Sequence, residues 1–420
     1  MKYTTLRGTK DILPEEVYLW QYIEEIAQNI FELYNYREIR TPIFEQTELF
    51  TSSIGEDTDI VEKEMYTFKD KGDRNVTLRP DGTAPVVRAY IQNDLQHHEK
   101  VLKTYYKGPM FRYERPQSGR FRQFHQMGVE CLGSKNPLLD AEIISLGVHI
   151  FDEMGVGDLS VLINTVGCPV CRKVIRENIK GYVGDSLKYL CTDCQRRFHN
   201  NPLRILDCKN EKCIKYMLAL PKTTDIVCRE CKDHFDTVLE YLDYLDIDFT
   251  INPKMVRGLD YYTKTTFEII SANLGAHNAV CGGGRYDNLV KALGGNDVPA
   301  VGFAFGLERA VMILKELNVE VNMDENVELF ITAIGQSAKL KGFLLINDLR
   351  RTGFRVDIDY SDRSLKAQMK YADKIKVRYV LIIGEKECQT GIASIKNMDT
   401  GNQEDIPIED IKDYLRKNIK

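Results

Sequence analysis

The stretch from Phe111 to Gln126, FRYERPQSGRFRQFHQ, decides the fold prediction for this 420-residue chain. The run that leads into it, KTYYKGPM, has the composition of a β-strand, and FRQFHQMGVEC at its other end alternates with a period of two. The Pro-Gln-Ser-Gly sequence between these runs is typical of a turn. The sequence therefore predicts an antiparallel hairpin with a basic tip.

The predicted hairpin gathers side chains suited to a phosphate, a base and an amine. Alternation along the second strand puts four of them on one face: Arg122, Phe124, Gln126 and Glu130. Arg112 and Glu114 share a face of the first strand in the same way. Such a surface offers a cation for phosphate, an aromatic ring for a base and carboxylates for an amine. The alternative interpretation is a solvated hairpin with a charged tip.

Three downstream blocks add further candidate site residues. Arg257 to Thr263 reads RGLDYYT, which supplies a cation and two phenol hydroxyls, and Cys281 to Leu289 reads CGGGRYDNL. Consecutive glycines in a strand indicate that the backbone lies close to a ligand or to another strand. Gly302 to Val311, GFAFGLERAV, predicts a strand that turns into a helix near Gly306 and carries Arg309 in the first helical turn.

Together these blocks resemble the histidyl-tRNA synthetases, a family of class II aminoacyl-tRNA synthetases. RGTKDILP at the start of the chain is similar to the family's opening, and REIRTPIFE, with Pro42, is similar to the first class II motif. The arginine hairpin is similar to the second motif and GFAFGLER to the third. RGLDYY and GGGRYD resemble the two blocks that are peculiar to the histidine enzymes. The likeness extends through essentially the whole chain.

The resemblance implies three parts and a homodimer. An α+β catalytic domain with the class II fold and a mostly antiparallel sheet is expected over 1–167 and 247–320. The change in composition and the clustered cysteines predict a helical, cysteine-rich insertion at 168–246. A C-terminal α/β anticodon-binding domain is expected over 327–420, where strands alternate with helices as in a mostly parallel sheet. The polar segment 319–326 is predicted to be a linker.

The implied reaction joins L-histidine to tRNA(His) with ATP through a histidyl-adenylate. Arg112 and Arg257 match the family's catalytic arginines at the carboxylate and α-phosphate, and Arg309 matches an arginine at the nucleotide tail. Glu114 and Phe124 match adenine contacts. Because negative charge builds up on oxygen, fixed cations are expected to carry much of the rate gain. Mg²⁺ is expected on the triphosphate.

The resemblance also implies a histidine pocket. The matching positions are Asp81, Gly82, Thr83, Arg112, Gln126, Glu130, Arg257, Tyr261 and Tyr262. Asp81, Thr83 and Gln126 match the contacts to the ammonium group, and Glu130 and Tyr262 match those to the imidazole. Many bacterial relatives carry Glu at the position of Asp81, so the reach of this carboxylate is shorter here. Arg115 and Gln117 at the hairpin tip match positions that read the acceptor end of the tRNA.

The inserted region contains eight of the chain's 11 cysteines, in four pairs. Cys168/Cys171 and Cys191/Cys194 have the spacing of a four-thiolate zinc site, so the sequence predicts one structural Zn²⁺ on these four residues. A second site on the remaining pairs, Cys208/Cys213 and Cys228/Cys231, is left open. His199 and His234 are alternative ligands. The competing interpretation is that these residues are free thiols in an ordinary helical insertion.

Composition places the chain among soluble globular proteins. The net charge is −5 and 43% of residues are hydrophobic. No apolar run approaches membrane-spanning length and the start lacks a signal-peptide core, so a cytoplasmic protein without membrane contact is predicted. The region Gly335 to Arg378 has 11 Lys and Arg against 5 Asp and is a candidate RNA-binding face. Its alternative interpretation is a set of solvated helix surfaces.

Two other functions compete with the ligase. One is a catalytically inactive, synthetase-like regulatory subunit of histidine biosynthesis. Such chains generally lack the C-terminal domain and have degraded arginine and RGLDYY blocks, both of which this chain retains. The other is a zinc-dependent nucleic-acid-binding module on an inactive scaffold, which would bind metal and RNA without activating histidine.

Overall fold

The structure is a computed structural model that describes residues 2–55, 58–116, 119–217, 220–272, 279–321 and 327–419. The chain forms two compact units, 1–321 and 322–420. The predicted division of the first unit into a catalytic domain and an insertion stays a prediction. Most of the predicted linker lies outside the described residues.

An eight-stranded sheet forms the centre of the first unit. The strands of this unit are β1 (Arg37–Glu38), β2 (Phe44–Gln46), β3 (Tyr66–Lys69), β4 (Asn75–Leu78), β5 (Leu102–Phe111), β6 (Gln123–Leu132), β7 (Leu159–Thr165), β8 (Phe249–Ile251), β9 (Thr263–Ser271), β10 (Ala279–Arg285) and β11 (Ala300–Gly306). The large sheet has the order β1-β5-β6-β11-β10-β9-β7-β8, and β2-β4-β3 form a small second sheet. Only the outer pairs β1–β5 and β7–β8 of the large sheet are parallel, so the prediction of a mostly antiparallel sheet is confirmed.

The predicted arginine hairpin is formed by β5 and β6. The two strands pair along their full length, with Phe111 opposite Gln123 and Leu102 opposite Leu132. Arg122 precedes the second strand, and its guanidinium lies 3.6 Å from the centre of the Tyr113 ring. It therefore stacks on the hairpin instead of joining the binding face as predicted. Phe124, Gln126 and Glu130 do alternate along β6.

Helices cover the sheet and complete the core. The helices of this unit are α1 (Pro14–Leu33), α2 (Thr47–Ile54), α3 (Thr83–Gln92), α4 (Pro137–Glu153), α5 (Pro169–Val183), α6 (Thr192–Asn200), α7 (Glu211–Met217), α8 (Thr223–Ile226), α9 (Arg229–Tyr244), α10 (Leu289–Ala292) and α11 (Leu307–Glu316). Short 3₁₀ or π turns occupy Ile60–Glu64, Leu95–His97, Gly184–Tyr189 and Pro202–Ile205. α1, α4, α9 and α11 contribute apolar side chains to one large core with β6, β7, β9 and β11. Their apolar stripes recur at helical spacing, which explains why these segments fold as helices on a sheet.

The three consecutive glycines, Gly282 to Gly284, let β10 pack closely between its neighbours. A Cβ atom at Gly283 would lie 2.2 Å from the Gly302 carbonyl oxygen and 2.6 Å from the Cβ of Phe303. Both neighbours belong to β11, so the contact is with rigid sheet. The glycine run is thus required by close approach, as the sequence indicates.

We expect Gly283→Ala to lower the free energy of unfolding by about 1–3 kcal/mol, the usual cost of overpacking a core. Trp20, the only tryptophan, lies in the main core and reports on this unit by its fluorescence during urea unfolding. The matched control is Gly181→Ala in α5, where a Cβ would meet no atom of the described residues within 4 Å. The control should unfold at an equal or higher urea concentration, since Ala favours a helix. Equal midpoints for Gly283→Ala and the unchanged chain would contradict the packing argument.

The second unit is an α/β domain with a five-stranded sheet. Its elements are β12 (Leu329–Ala333), α12 (Gln336–Arg351), β13 (Val356–Ile358), α13 (Leu365–Lys374), β14 (Tyr379–Ile383), α14 (Glu385–Thr390), β15 (Ile392–Asn397), β16 (Gln403–Pro407) and α15 (Ile411–Asn418), with a 3₁₀ turn at Ile408–Asp410. The order is β13-β12-β14-β15-β16. β13, β12 and β14 are parallel, whereas β15 and β16 are antiparallel. The predicted α/β class is confirmed, but the sheet is mixed because β15 and β16 form a hairpin.

Within the part of the chain that the structure describes, no helix combines the length and apolar character needed to cross a bilayer.

Candidate active site

Two connected cavities lie over the hairpin in the first unit. The smaller has a volume of about 190 Å³ and the larger about 890 Å³. Ile60, Arg112 and Gly258 line both cavities, so the two spaces meet at the Arg112 side chain. Eight of the predicted site residues line the smaller cavity: Asp81, Thr83, Arg112, Gln126, Glu130, Arg257, Tyr261 and Tyr262. The structure therefore brings together residues from three separate sequence blocks.

Two oxygens in the smaller cavity are suited to a ligand ammonium group. Asp81 Oδ2 and Gln126 Oε1 are buried and have no hydrogen-bond partner among the described residues. Burial raises the pKa of Asp81, because the charged carboxylate loses solvation, and the Arg112 guanidinium opposes this shift. Buried acceptors without donors are costly, so a donor from a ligand is expected here.

Glu130 forms the floor of the smaller cavity. Its carboxylate accepts hydrogen bonds from Thr83 Oγ1 at 2.6 Å and from the Tyr286 hydroxyl. Burial raises the pKa of Glu130 to about 8, against the lowering effect of these two hydrogen bonds. A Cβ atom at Gly302 would lie 2.1 Å from Glu130 Oε2, so the glycine on β11 makes room for this carboxylate.

The start of α3 needs a glycine for a similar reason. Gly82 precedes the first residue of α3, and a Cβ there would lie 2.1 Å from the ring of Tyr106. Gly82 itself does not line either cavity as the described residues define them. Gly82, which was predicted to bind histidine, instead packs against the Tyr106 ring, and this ring lines the smaller cavity.

Arg257 lies against the glycine run and pairs with a carboxylate. Its Nη1 forms an ion pair with Glu268 on β9, and the guanidinium packs on Gly282, where a Cβ would lie 2.4 Å from Arg257 Nη2. The Arg257 side chain is 23% exposed and lines the smaller cavity. The residue is thus both a member of an ion pair and a cation available to a ligand.

The larger cavity has the side chains of a nucleotide site. Arg112, Glu114 and Phe124 line it, as predicted, together with Arg120. The Arg112 guanidinium lies 5.3 Å from the Phe124 ring centre, and its Nε donates to the Pro80 carbonyl at 2.8 Å. Glu114 forms an ion pair with Arg120 at 3.3 Å. A half-buried aromatic ring that lines the cavity next to two guanidinium groups suits a base with attached phosphates.

Arg309, which the resemblance places at the nucleotide tail, is held by the backbone of β10. It lines neither cavity as the described residues define them, and its Nε donates to the Ala279 carbonyl at 2.6 Å. Burial and the nearby Arg120 guanidinium lower the pKa of Arg309. Its neighbour Glu308 accepts from the His125 backbone N–H at 2.9 Å. The third block thereby joins the hairpin beside the larger cavity.

The hairpin tip is described only in part. Arg115 is exposed, as a residue that meets a large ligand should be, whereas Gln117 lies outside the described residues.

Several lining residues were missed at the sequence level. Tyr106 and Tyr286 line the smaller cavity, and Arg197, Arg204 and Lys209 bring the cysteine-rich region to the larger one. Tyr286 belongs to the quoted GGGRYD block and could have been found there. The three basic residues carry no local signal, because they reach the cavity through contacts between distant parts of the chain.

The cysteines group differently from the prediction. Cys168 and Cys171 meet Cys228 and Cys231, whereas Cys191 and Cys194 meet Cys208 and Cys213. The predicted set of Cys168, Cys171, Cys191 and Cys194 is therefore not assembled in the structure. The reason is that α5 separates the first two pairs in space, while the start of α9 returns to the start of α5.

Comparison with known proteins agrees with this geometry. Residues 8–179 and 206–310 match the family described as Histidyl-tRNA synthetase. This chain belongs to the histidyl-tRNA synthetase family. Residues 329–418 match the family described as Anticodon binding domain. The expected class II fold and the C-terminal anticodon-binding domain are thus confirmed.

Similar proteins match along nearly their whole length. The histidine–tRNA ligase of Moorella thermoacetica is 50% identical over 98% of this chain and 97% of its own. That of Halothermothrix orenii is 49% identical over 98% of this chain and 99% of its own. The crystal structure of apo histidyl-tRNA synthetase from S. aureus has a TM-score of 0.84 at 40% identity and covers 98% of this chain and 99% of that one.

Proposed function

We propose that this protein is a histidine–tRNA ligase, which joins L-histidine to tRNA(His) through a histidyl-adenylate and releases AMP and pyrophosphate. The observation that carries the proposal is the pair of cavities that meet at Arg112. One offers unpaired acceptors for an amine, and the other offers an aromatic ring and cations for a nucleotide. Family membership and full-length likeness to histidine–tRNA ligases support it.

In the first step the histidine carboxylate attacks the α-phosphorus of ATP, and pyrophosphate leaves. Arg112 stands where the amino-acid cavity meets the nucleotide cavity, so it binds the carboxylate and the α-phosphate together. Arg257 lines the amino-acid cavity together with Arg112 and supplies a second cation there. Both guanidinium groups are fixed by protein partners, Pro80 and Glu268, and so need little rearrangement to stabilise the charge that develops. Mg²⁺ would accompany the triphosphate and neutralise the charge of the leaving group.

Histidine is selected by groups that would otherwise stay unpaired. Asp81 and Gln126 accept from the ammonium group beside Thr83, and Glu130 with Tyr262 binds the imidazole, with Tyr261 packed against them. An amino acid without ring nitrogens leaves these buried polar groups without partners, which lowers its affinity. In the second step a terminal ribose hydroxyl of tRNA(His) attacks the acyl carbonyl, and AMP leaves. Arg115 and Gln117 meet the acceptor end, and the second unit binds the anticodon.

Adenine binds in the larger cavity, stacked on Phe124 and contacted by Glu114. Arg309 acts at the nucleotide tail through its place beside Arg120, although it does not line the cavity wall.

Pyrophosphate exchange tests the activity directly. The purified chain should exchange pyrophosphate into ATP with L-histidine and not with the other amino acids, and should then charge tRNA(His). Histidine binding without exchange would favour the regulatory subunit, and RNA and metal binding without exchange would favour the nucleic-acid module. The intact arginine and RGLDYY blocks and the matched C-terminal domain count against both alternatives.

We expect Phe124→Ala to raise KM for ATP by about tenfold, because stacking of a base on an aromatic ring contributes about 1–3 kcal/mol. KM for histidine should change little. Tyr244→Ala at the end of α9 is the control, since this ring is exposed and lines neither cavity as described. An unchanged KM for ATP in Phe124→Ala would remove the ring from the nucleotide site.

The enzyme is proposed to work as a homodimer in the cytoplasm, where tRNA is used. In the first motif, Ile43 and Phe44 are 43% and 59% exposed, and Phe68 on the same small sheet is 48% exposed. Large apolar side chains in one exposed sheet are suited to a subunit interface. Light scattering of the purified chain measures the oligomeric state.

A further inference from the structure

Eight cysteines of the first unit form two separate clusters of four. In each set the four Sγ atoms all lie within 4.8 Å of one another. The first set, site A, consists of Cys168, Cys171, Cys228 and Cys231. The second set, site B, consists of Cys191, Cys194, Cys208 and Cys213.

Site A is built from the starts of two helices. Cys168 and Cys171 stand at the start of α5, and Cys228 and Cys231 stand at the start of α9. The backbone N–H of Cys168 donates to Cys231 Sγ at 3.2 Å, and that of Cys228 donates to Cys171 Sγ at 3.0 Å. Each pair therefore supplies a backbone donor to the other pair. Donors aimed at sulfur stabilise the thiolate form that binds metal.

Site B repeats the arrangement in the same region. Cys191 and Cys194 open α6, Cys208 precedes α7 and Cys213 lies within α7. The backbone N–H of Cys191 donates to Cys213 Sγ at 3.2 Å. The looser spacing of the Cys208/Cys213 pair is accommodated because α7 turns its buried Cys213 inward.

We propose that sites A and B each bind one structural Zn²⁺ through four thiolates. Bonds of about 2.3 Å to a tetrahedral zinc place neighbouring sulfurs about 3.8 Å apart. The Cys168–Cys171 and Cys191–Cys208 separations are 3.6 and 3.8 Å. A disulfide needs about 2.05 Å and joins two sulfurs, so it does not explain four that converge. Soft thiolates in tetrahedral arrangement select zinc, and four of them leave no open position for catalysis.

Site A lies next to the loop that carries Arg257. Arg172 follows Cys171 in α5 and donates to the Asp260 carbonyl at 2.8 Å, to its carboxylate at 2.6 Å and to the Tyr262 carbonyl at 3.2 Å. A metal that fixes the start of α5 thus fixes the RGLDYY loop.

Site B borders the larger cavity. Cys191 and Cys208 line this cavity, together with Asp207 and Lys209 from the same loop. A metal in site B therefore fixes one wall of the proposed nucleotide site.

Metal content of the full chain, after dialysis against EDTA, tests the proposal. We expect two zinc ions per chain, and two cobalt ions in protein grown with Co²⁺, with the thiolate charge-transfer and tetrahedral ligand-field absorption of cobalt. Cys228→Ser and Cys208→Ser should each retain one metal, whereas the control Cys388→Ser should retain two. Cys388 belongs to neither set.

Titration of the unmodified chain with a mercurial reagent also gives the number of zinc ions per chain. It does not depend on whether the cysteine variants fold. Blocking the thiols should release two zinc ions per chain to a chromophoric chelator. A chain with no metal and freely titrating thiols, one metal only, or disulfides in non-reducing mass spectrometry would each overturn the proposal.

Kinetic measurements test whether site A supports the histidine pocket and site B the nucleotide site. This test rests on the proposed function. Loss of the site A metal in Cys228→Ser should raise KM for histidine more than KM for ATP, and Cys208→Ser should do the reverse. Equal changes would overturn the assigned coupling. Metal counts do not depend on activity, so a failed ligase assay and a failed metal proposal remain distinguishable.

Discussion

Replacing Arg257 with alanine is expected to slow histidine-dependent pyrophosphate exchange by about 10²–10³-fold, the effect of removing one charge-stabilising donor. The guanidinium borders the amino-acid cavity and is held by Glu268 and packed on Gly282. Because its position is fixed before substrate binds, its loss should act on the transition state. We therefore expect kcat to fall, with a smaller change in KM for ATP.

The same ion pair offers a purely structural explanation of Arg257, which a control can separate. Lys103 pairs with Glu142 at 2.6 Å, and its side chain is 24% exposed, against 23% for Arg257. Lys103 lines neither cavity as described. Lys103→Ala and Arg257→Ala should lower the melting temperature alike, but only Arg257→Ala should lose exchange activity. If Arg257→Ala loses no more exchange activity than Lys103→Ala, Arg257 contributes to stability alone.

The second large effect is expected from Glu130→Gln, which keeps the shape of the side chain and replaces the ionisable carboxyl by a neutral amide. Glu130 accepts from Thr83 and Tyr286 at the floor of the cavity. We expect kcat/KM for histidine to fall by about 10²-fold, since an oxygen that accepts from the imidazole or from Thr83 and Tyr286 is replaced by an amide donor. KM for ATP should be nearly unchanged. Glu142→Gln, which alters an ion pair outside the cavities, is the matched control.

Glu130→Gln should also change how stability depends on pH. Burial raises the folded-state pKa of Glu130 to about 8, so the folded chain binds this proton more tightly than the unfolded chain. The resulting stabilisation is complete below the ordinary pKa of a glutamate and is lost as pH rises through about 8. Between about pH 5 and 8 the unchanged chain should lose up to about 1.4 kcal/mol per pH unit relative to Glu130→Gln.

Urea unfolding of the ligand-free proteins at several pH values measures this difference. Asp81, whose pKa is also raised by burial, is present in both proteins and cancels in the comparison. Parallel pH profiles for the two proteins would show that Glu130 does not carry the buried proton.

Local patterns predicted the parts of the site that lie on single elements. Period-two alternation identified β6 and the face with Phe124, Gln126 and Glu130, and the glycine run identified a tight strand contact. These features depend on residues that are close together in the chain, so a single sequence is enough to predict them.

What the sequence left unresolved depends on contacts between distant segments. Cysteine spacing identified pairs but not partners, because any pair can meet any other once helices intervene. The contact of the cysteine-rich region with the larger cavity, the ion pair of Arg257 with Glu268 and the position of Arg309 are of the same kind. The hairpin of β15 and β16 was missed in part because β16, QEDIP, lacks the composition of a strand.

The most direct test of the central claim is a crystal structure with a non-hydrolysable sulfamoyl analogue of histidyl-adenylate. The account predicts that Arg112 and Arg257 both contact the group that replaces the α-phosphate. Asp81 and Gln126 should bind the ammonium group, and Phe124 should stack on adenine. An analogue bound with its phosphate mimic away from both arginines, or with its imidazole outside the cavity of Glu130, would contradict the account.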